Sequence, residues 1–79
     1  MVDDPDSAVF RVSTANLTGA IEILRALGGL EVYPEAYQVL VLERSSRELH
    51  APPKEISLAR ETFEALPRDV QQLLTGEAG

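Results

Sequence analysis

The sequence predicts an α+β fold: a small two-layer β-α-β-β sheet with one covering helix, followed by two short C-terminal helices. Three observations carry that prediction. Residues 8–13 alternate, with Ala8, Phe10 and Val12 on one side and Val9, Arg11 and Ser13 on the other, the period of a half-buried strand. Leu17, Ala20, Ile21, Leu24 and Leu27 recur at three- and four-residue spacing, as on one face of a helix. Val39, Leu40, Val41 and Leu42 follow one another without a break, as in a strand covered on both faces.

Each element follows in order. Residues 1–7 hold three Asp, a Pro and a Ser without periodicity, too little apolar surface to offset ordering entropy, and read as a flexible acidic tail. Strand one occupies 8–13. Ser13, Thr14, Asn16 and Thr18 offer side-chain oxygens that cap orphan amides, so helix one begins among them and ends at Gly28-Gly29, where glycine adopts left-handed backbone without cost. Leu30, Val32 and Tyr33 form a short strand two, stopped by Pro34, which has no amide hydrogen for a ladder. Residues 37–43 form strand three, hairpinned to strand two.

Residues 44–50 are polar, with room for a short strand over 48–50, and Ala51-Pro52-Pro53 stiffens the connection. From Lys54 onward Ile56, Ala59, Phe63 and Leu66 share a helical face, giving helix two. Pro67 interrupts it, and Val70, Leu73 and Leu74 mark helix three, closed by Gly76. One domain spans residues 8–76, with residues 77–79 disordered. The expected core is Ala8, Phe10, Val12, Leu17, Ile21, Leu24, Leu27, Leu30, Val32, Val39, Val41, Ile56, Phe63, Leu66 and Val70.

With 79 residues there is room for one core, and such cores leave only about 3–5 kcal/mol of net stability unless something reinforces them. The chain has no cysteine and a single histidine, His50, so neither disulfides nor a zinc site supplies reinforcement. Self-association remains. A net charge of -6 disfavours DNA and RNA, whose binding rests on clustered Lys and Arg. Arg outnumbers Lys, with Lys54 the only lysine, which suggests a GC-rich bacterial genome. The acidic start lacks the basic and apolar segments of a secretory signal, and no stretch approaches the ~18 apolar residues of a membrane span; the expected location is cytoplasmic.

Motifs for chemistry are weak. Asp3, Asp4 and Asp6 lack the Gly turn and distal Glu of a calcium loop. His50 near Glu48 has no Ser or Cys in a recognisable nucleophile motif. Asn16-Leu17-Thr18 matches a glycosylation sequon, yet the start of the chain does not direct secretion. Gly19 and Gly28-Gly29 lack phosphate-loop spacing. No catalytic, cofactor-binding or metal residue is assigned.

Two features point to binding. Tyr33 and Tyr37 flank Pro34, and exposed Tyr is a favoured interface residue because it offers wide apolar area and a polar tip. Strand three, too apolar for a sheet with one wet face, adds Leu40 and Leu42 to that candidate interface. The expectation is a non-enzymatic protein-interaction module that pairs with itself as a homodimer, or with another protein, through the sheet edge or its apolar face. The alternative is a small-molecule-binding regulatory domain with a cleft at the strand-to-helix turn between Ser13 and Gly19. There, Thr18-Gly19 following the first strand is similar to the opening of ACT-type regulatory domains, over roughly the first 33 residues. The helix is about a turn shorter than that family's, and no final strand is evident after helix two, so the fold assignment does not rest on it.

Overall fold

Ser13 separates the first strand from the first helix, for a local reason. Its Oγ accepts from the Asn16 amide at 3.2 Å, satisfying one of the amides that a helix start leaves without an intrahelical partner. A computed structural model describes residues 6–48 and 50–76 of the chain. Strand β1 is Ser7–Val12 and helix α1 is Thr14–Ala26, where the alternation and the helical spacing put them. The acidic tail expected over residues 1–7 lies outside the described residues as far as residue 5, and Ser7 already belongs to β1. Residues 77–79 also lie outside them. Helix α1 stops at the glycine pair: Gly28 has a φ of 127° and Gly29 one of 57°, and a Cβ at Gly28 would meet the Val32 side chain.

Beyond the glycines the chain departs from expectation. Strand two is replaced by a single 3-10 turn, Gly29–Glu31, and strand three by helix α2, Pro34–Ser45. Pro34 is the pivot. Read as a strand stop, it instead occupies the first turn of α2, where its missing amide hydrogen costs nothing. The apolar run 39–42 then winds around a helix. Leu40 is 0% exposed, whereas Leu42 is 73% exposed; on a strand these two would share one face. Val39 and Val41 are β-branched and slightly disfavour helix, but packing of α2 on α1 and β2 outweighs so weak a propensity.

The second half also trades elements. Residues 54–59, expected to open helix two, form strand β2, Lys54–Ala59, and only Arg60–Glu64 is helical, as α3. The extended geometry imposed before each proline at Pro52 and Pro53 favours a strand entry, and Ile56 and Leu58 are buried while Glu55, Ser57 and Ala59 are exposed. Glu48 and His50 form no strand; Leu49 lies outside the described residues. Helix α4, Arg68–Thr75, follows Pro67 and ends at left-handed Gly76, φ 79°, as its stripe and glycine predict.

The described residues therefore form a two-stranded antiparallel sheet and four α-helices. The small α+β class stands, while the β-α-β-β order gives way to β-α-α-β-α-α. In the ladder Phe10 faces Ile56, Ala8 faces Leu58 and Val12 faces Lys54. A two-stranded ribbon is marginal alone in water; here its inner face joins a core in which α1 packs on both α2 and α4.

Phe10, Val12, Leu17, Ile21, Leu24, Ile56, Leu66 and Val70 are buried as expected, and Ala8, Val39, Val41 and Phe63 are half-buried. Leu27, Leu30 and Val32 are not core residues: they are 48%, 52% and 54% exposed, because Leu27 caps the end of α1 and the expected strand holding Leu30 and Val32 is a corner between two helices. Leu40, Leu58 and Leu74 fill the core in their place.

Side chains lock these elements together. The buried Arg47 guanidinium donates to the Val12 carbonyl at 2.6 Å and to the Lys54 carbonyl at 3.3 Å, gripping the two strands at the open end of their ladder, with Glu43 at 3.6 Å. Asn16 Nδ2 donates to the Leu73 carbonyl at 2.9 Å, so the residue expected to cap its own helix serves the last turn of α4. Gln71 Nε2 donates to the Phe63 and Leu66 carbonyls, each at 3.0 Å, closing the end of α3.

Candidate protein-docking surface

The glycine pair determines where the exposed apolar residues go. By turning the chain from α1 into α2 within a few residues, Gly28 and Gly29 place Leu27, Leu30 and Val32 on one corner of the molecule. Val32 leads from that corner into a groove of about 310 Å³. One wall is the start of α2, with Tyr33, Pro34 and Ala36; the other is the end of β2 and α3, with Ala59, Thr62 and Ala65. Glu35 and Glu61 stand on its two sides, and among the described residues no Lys, Arg or His lines it. The Thr62 hydroxyl donates to Glu35 Oε2 at 3.3 Å, linking α3 to α2 across the groove. Apolar walls with a carboxylate rim are suited to recognition: they take up an apolar side chain and discriminate by charge.

The four residues singled out in the sequence disperse. Tyr33 reaches the groove. Tyr37 turns toward α1, where its ring lies against Gly29 and its hydroxyl accepts from Arg25 Nε at 3.3 Å. Leu40 is fully buried in the core; Leu42 is exposed on α2. No protein-family model matches this chain, and no curated protein or solved structure matches it. The surface is thus read from its own geometry.

Other sequence candidates are placed as follows. The stretch between Ser13 and Gly19, the expected small-molecule cleft, meets α4 on one side, where Asn16 is bonded to Leu73 and a Cβ at Gly19 would lie 3.4 Å from Leu73 Cδ1, while Thr18 lines a cleft between α1 and α2. His50 is exposed in the loop before β2. Asp3 and Asp4 lie outside the described residues. Among the described residues no group of three His, Cys, Asp or Glu could hold a metal ion, and no helix is long and apolar enough to cross a membrane.

The corner is hidden in the sequence because Leu27 continues the apolar spacing of helix one and Leu30 and Val32 read as strand two, which places all three in the expected core. The signal that could have found them is the Gly28-Gly29 pair next to Pro34: a helix end so close to a helix start leaves no length for a strand.

Proposed function

We propose that the chain is a non-enzymatic protein-interaction module that takes up, on the corner and groove, an apolar segment flanked by basic residues of another protein. The observation that carries this reading is the exposed Leu27, Leu30 and Val32 leading into a groove bordered by Glu35 and Glu61 and lined, among the described residues, by no cation. Burying the exposed halves of these three side chains contributes only about 3 kcal/mol, below the roughly 4–15 kcal/mol that association costs in lost freedom. A partner must therefore also fill the groove and meet its carboxylates.

Two observations weigh against the homodimer expected from the sequence. The apolar run that motivated self-pairing winds around α2, where Leu40 is buried, Val39 and Val41 are half-buried and Leu42 is exposed, so it offers no continuous apolar face. A two-fold pairing through the corner would set identical carboxylates close to one another, since such an interface uses the same patch twice.

The test is fluorescence anisotropy with two labelled peptides, one of alternating Leu and Arg and one of alternating Leu and Glu. The Leu-Arg peptide binds saturably and the Leu-Glu peptide does not; the double variant Leu30→Ser/Val32→Ser loses binding, and Glu35→Lys/Glu61→Lys weakens it on the order of tenfold. Equal binding of both peptides, or binding unaffected by these substitutions, contradicts the proposal.

A further inference from the structure

A second cleft lies between α1 and α2. The two helices run antiparallel, so Thr18 near the start of α1 meets Arg44 near the end of α2, and Arg25 near the end of α1 meets Tyr37 near the start of α2. Arg44 Nε donates to Thr18 Oγ1 at 2.8 Å and Arg25 Nε donates to Tyr37 Oη at 3.3 Å. Each bond fixes a guanidinium through its Nε and leaves the terminal nitrogens, the part of the fork that recognises carboxylate and phosphate.

Both arginines line one cleft of about 230 Å³, with Ile21 and Val41 as its apolar part and Thr18 and Ser45 as its hydroxyls. Glu22 also borders it, so two cations stand against one carboxylate in a chain whose net charge is -6. Among the described residues neither Arg25 nor Arg44 forms an ion pair. The hydrogen bond to Tyr37 and, after it, the electrostatic influence of that residue hold Arg25 above its ordinary pKa.

We infer that this cleft binds a small organic dianion with an apolar middle, one charged end at Arg44 and the other at Arg25. The anchor points, Thr18 and Arg25, are seven positions apart on α1, about 10 Å along its axis. That distance suits a chain-like molecule with an anionic group at each end better than a single phosphate. Ile21 lies between the anchors on α1 and Val41 between Tyr37 and Arg44 on α2, which places apolar surface under the middle of such a ligand. The site is separate from the corner and groove and holds or fails independently of the peptide reading.

The experiment is a titration of isotope-labelled protein, followed by amide chemical shifts, with suberate, a dicarboxylate; octanoate, its monocarboxylate counterpart; and potassium chloride at matched ionic strength. Suberate produces saturable shifts confined to α1 and α2 around Thr18, Ile21, Arg25, Val41 and Arg44. Octanoate binds at least about tenfold more weakly, and Arg25→Gln and Arg44→Gln each weaken suberate binding by a similar factor. Tyr37→Phe, which leaves the guanidinium but removes its anchor, weakens it less. Shifts that follow ionic strength alone, equal affinity for the two acids, or unchanged suberate affinity in both arginine variants overturn the inference.

Discussion

Arg47 shows how one side chain can hold a sheet together. Val12 and Lys54 are the last pair of the ladder, and both of their carbonyls accept from this guanidinium. Removing it leaves those acceptors without a charged donor and Glu43 without its counter-charge. Arg47→Ala should cost about 3 kcal/mol, seen as a fall in Tm of more than about 10 °C for a domain this small. A change within about 0.5 kcal/mol would mean that the strands hold their end without it. Lysine is no substitute, since its compact ammonium lacks the planar fork that reaches two carbonyls at once. In the sequence Arg47 is one polar residue in a polar loop, and nothing local distinguishes it; its role comes from two strands meeting beside it.

At the scale of elements, α2 is the decisive case. Helix and strand make opposite statements about neighbours two residues apart. Leu40→Ala should cost about 2–5 kcal/mol, as for a fully buried leucine, while Leu42→Ala should stay within about 0.5 kcal/mol. Urea unfolding monitored by circular dichroism checks the pair; equal, large losses at both positions would restore the strand. β1, α1 and α4 were legible because each has its own period and its own stop or cap, Ser13, Gly28 and Gly76 among them. The 3-10 turn Gly29–Glu31, α2 and β2 were not. A four-residue apolar run fits a strand or a helix turn equally, and Pro34 serves as the end of one or the start of the other. Residues 54–59 satisfy both periods at once: Ile56 and Leu58 alternate, while Ile56, Ala59, Phe63 and Leu66 trace a helix. What decides is β1, a partner distant in sequence, and no local pattern contains it.

At the scale of the whole molecule, the candidate sites depend on that same tertiary arrangement. The corner exists because α1 and α2 are joined by one 3-10 turn, and Arg25 and Arg44 share a cleft because α2 is a helix antiparallel to α1. Apolar and basic residues could be counted in the sequence; their exposure and convergence could not, since both are properties of packing. Tyr33 alone among the four proposed contact residues reaches the groove, and it does so as the residue preceding α2 rather than as the end of a strand. On the proposed function, the corner of Leu27, Leu30 and Val32 stays open for another protein and is not closed by a second copy of the chain. Light scattering on a sizing column over a hundredfold concentration range tests it most directly, with the wild type and Leu30→Ser/Val32→Ser side by side. A mass of 8.6 kDa at every concentration, in both proteins, is the predicted result; a wild-type dimer that the double substitution dissociates would contradict it.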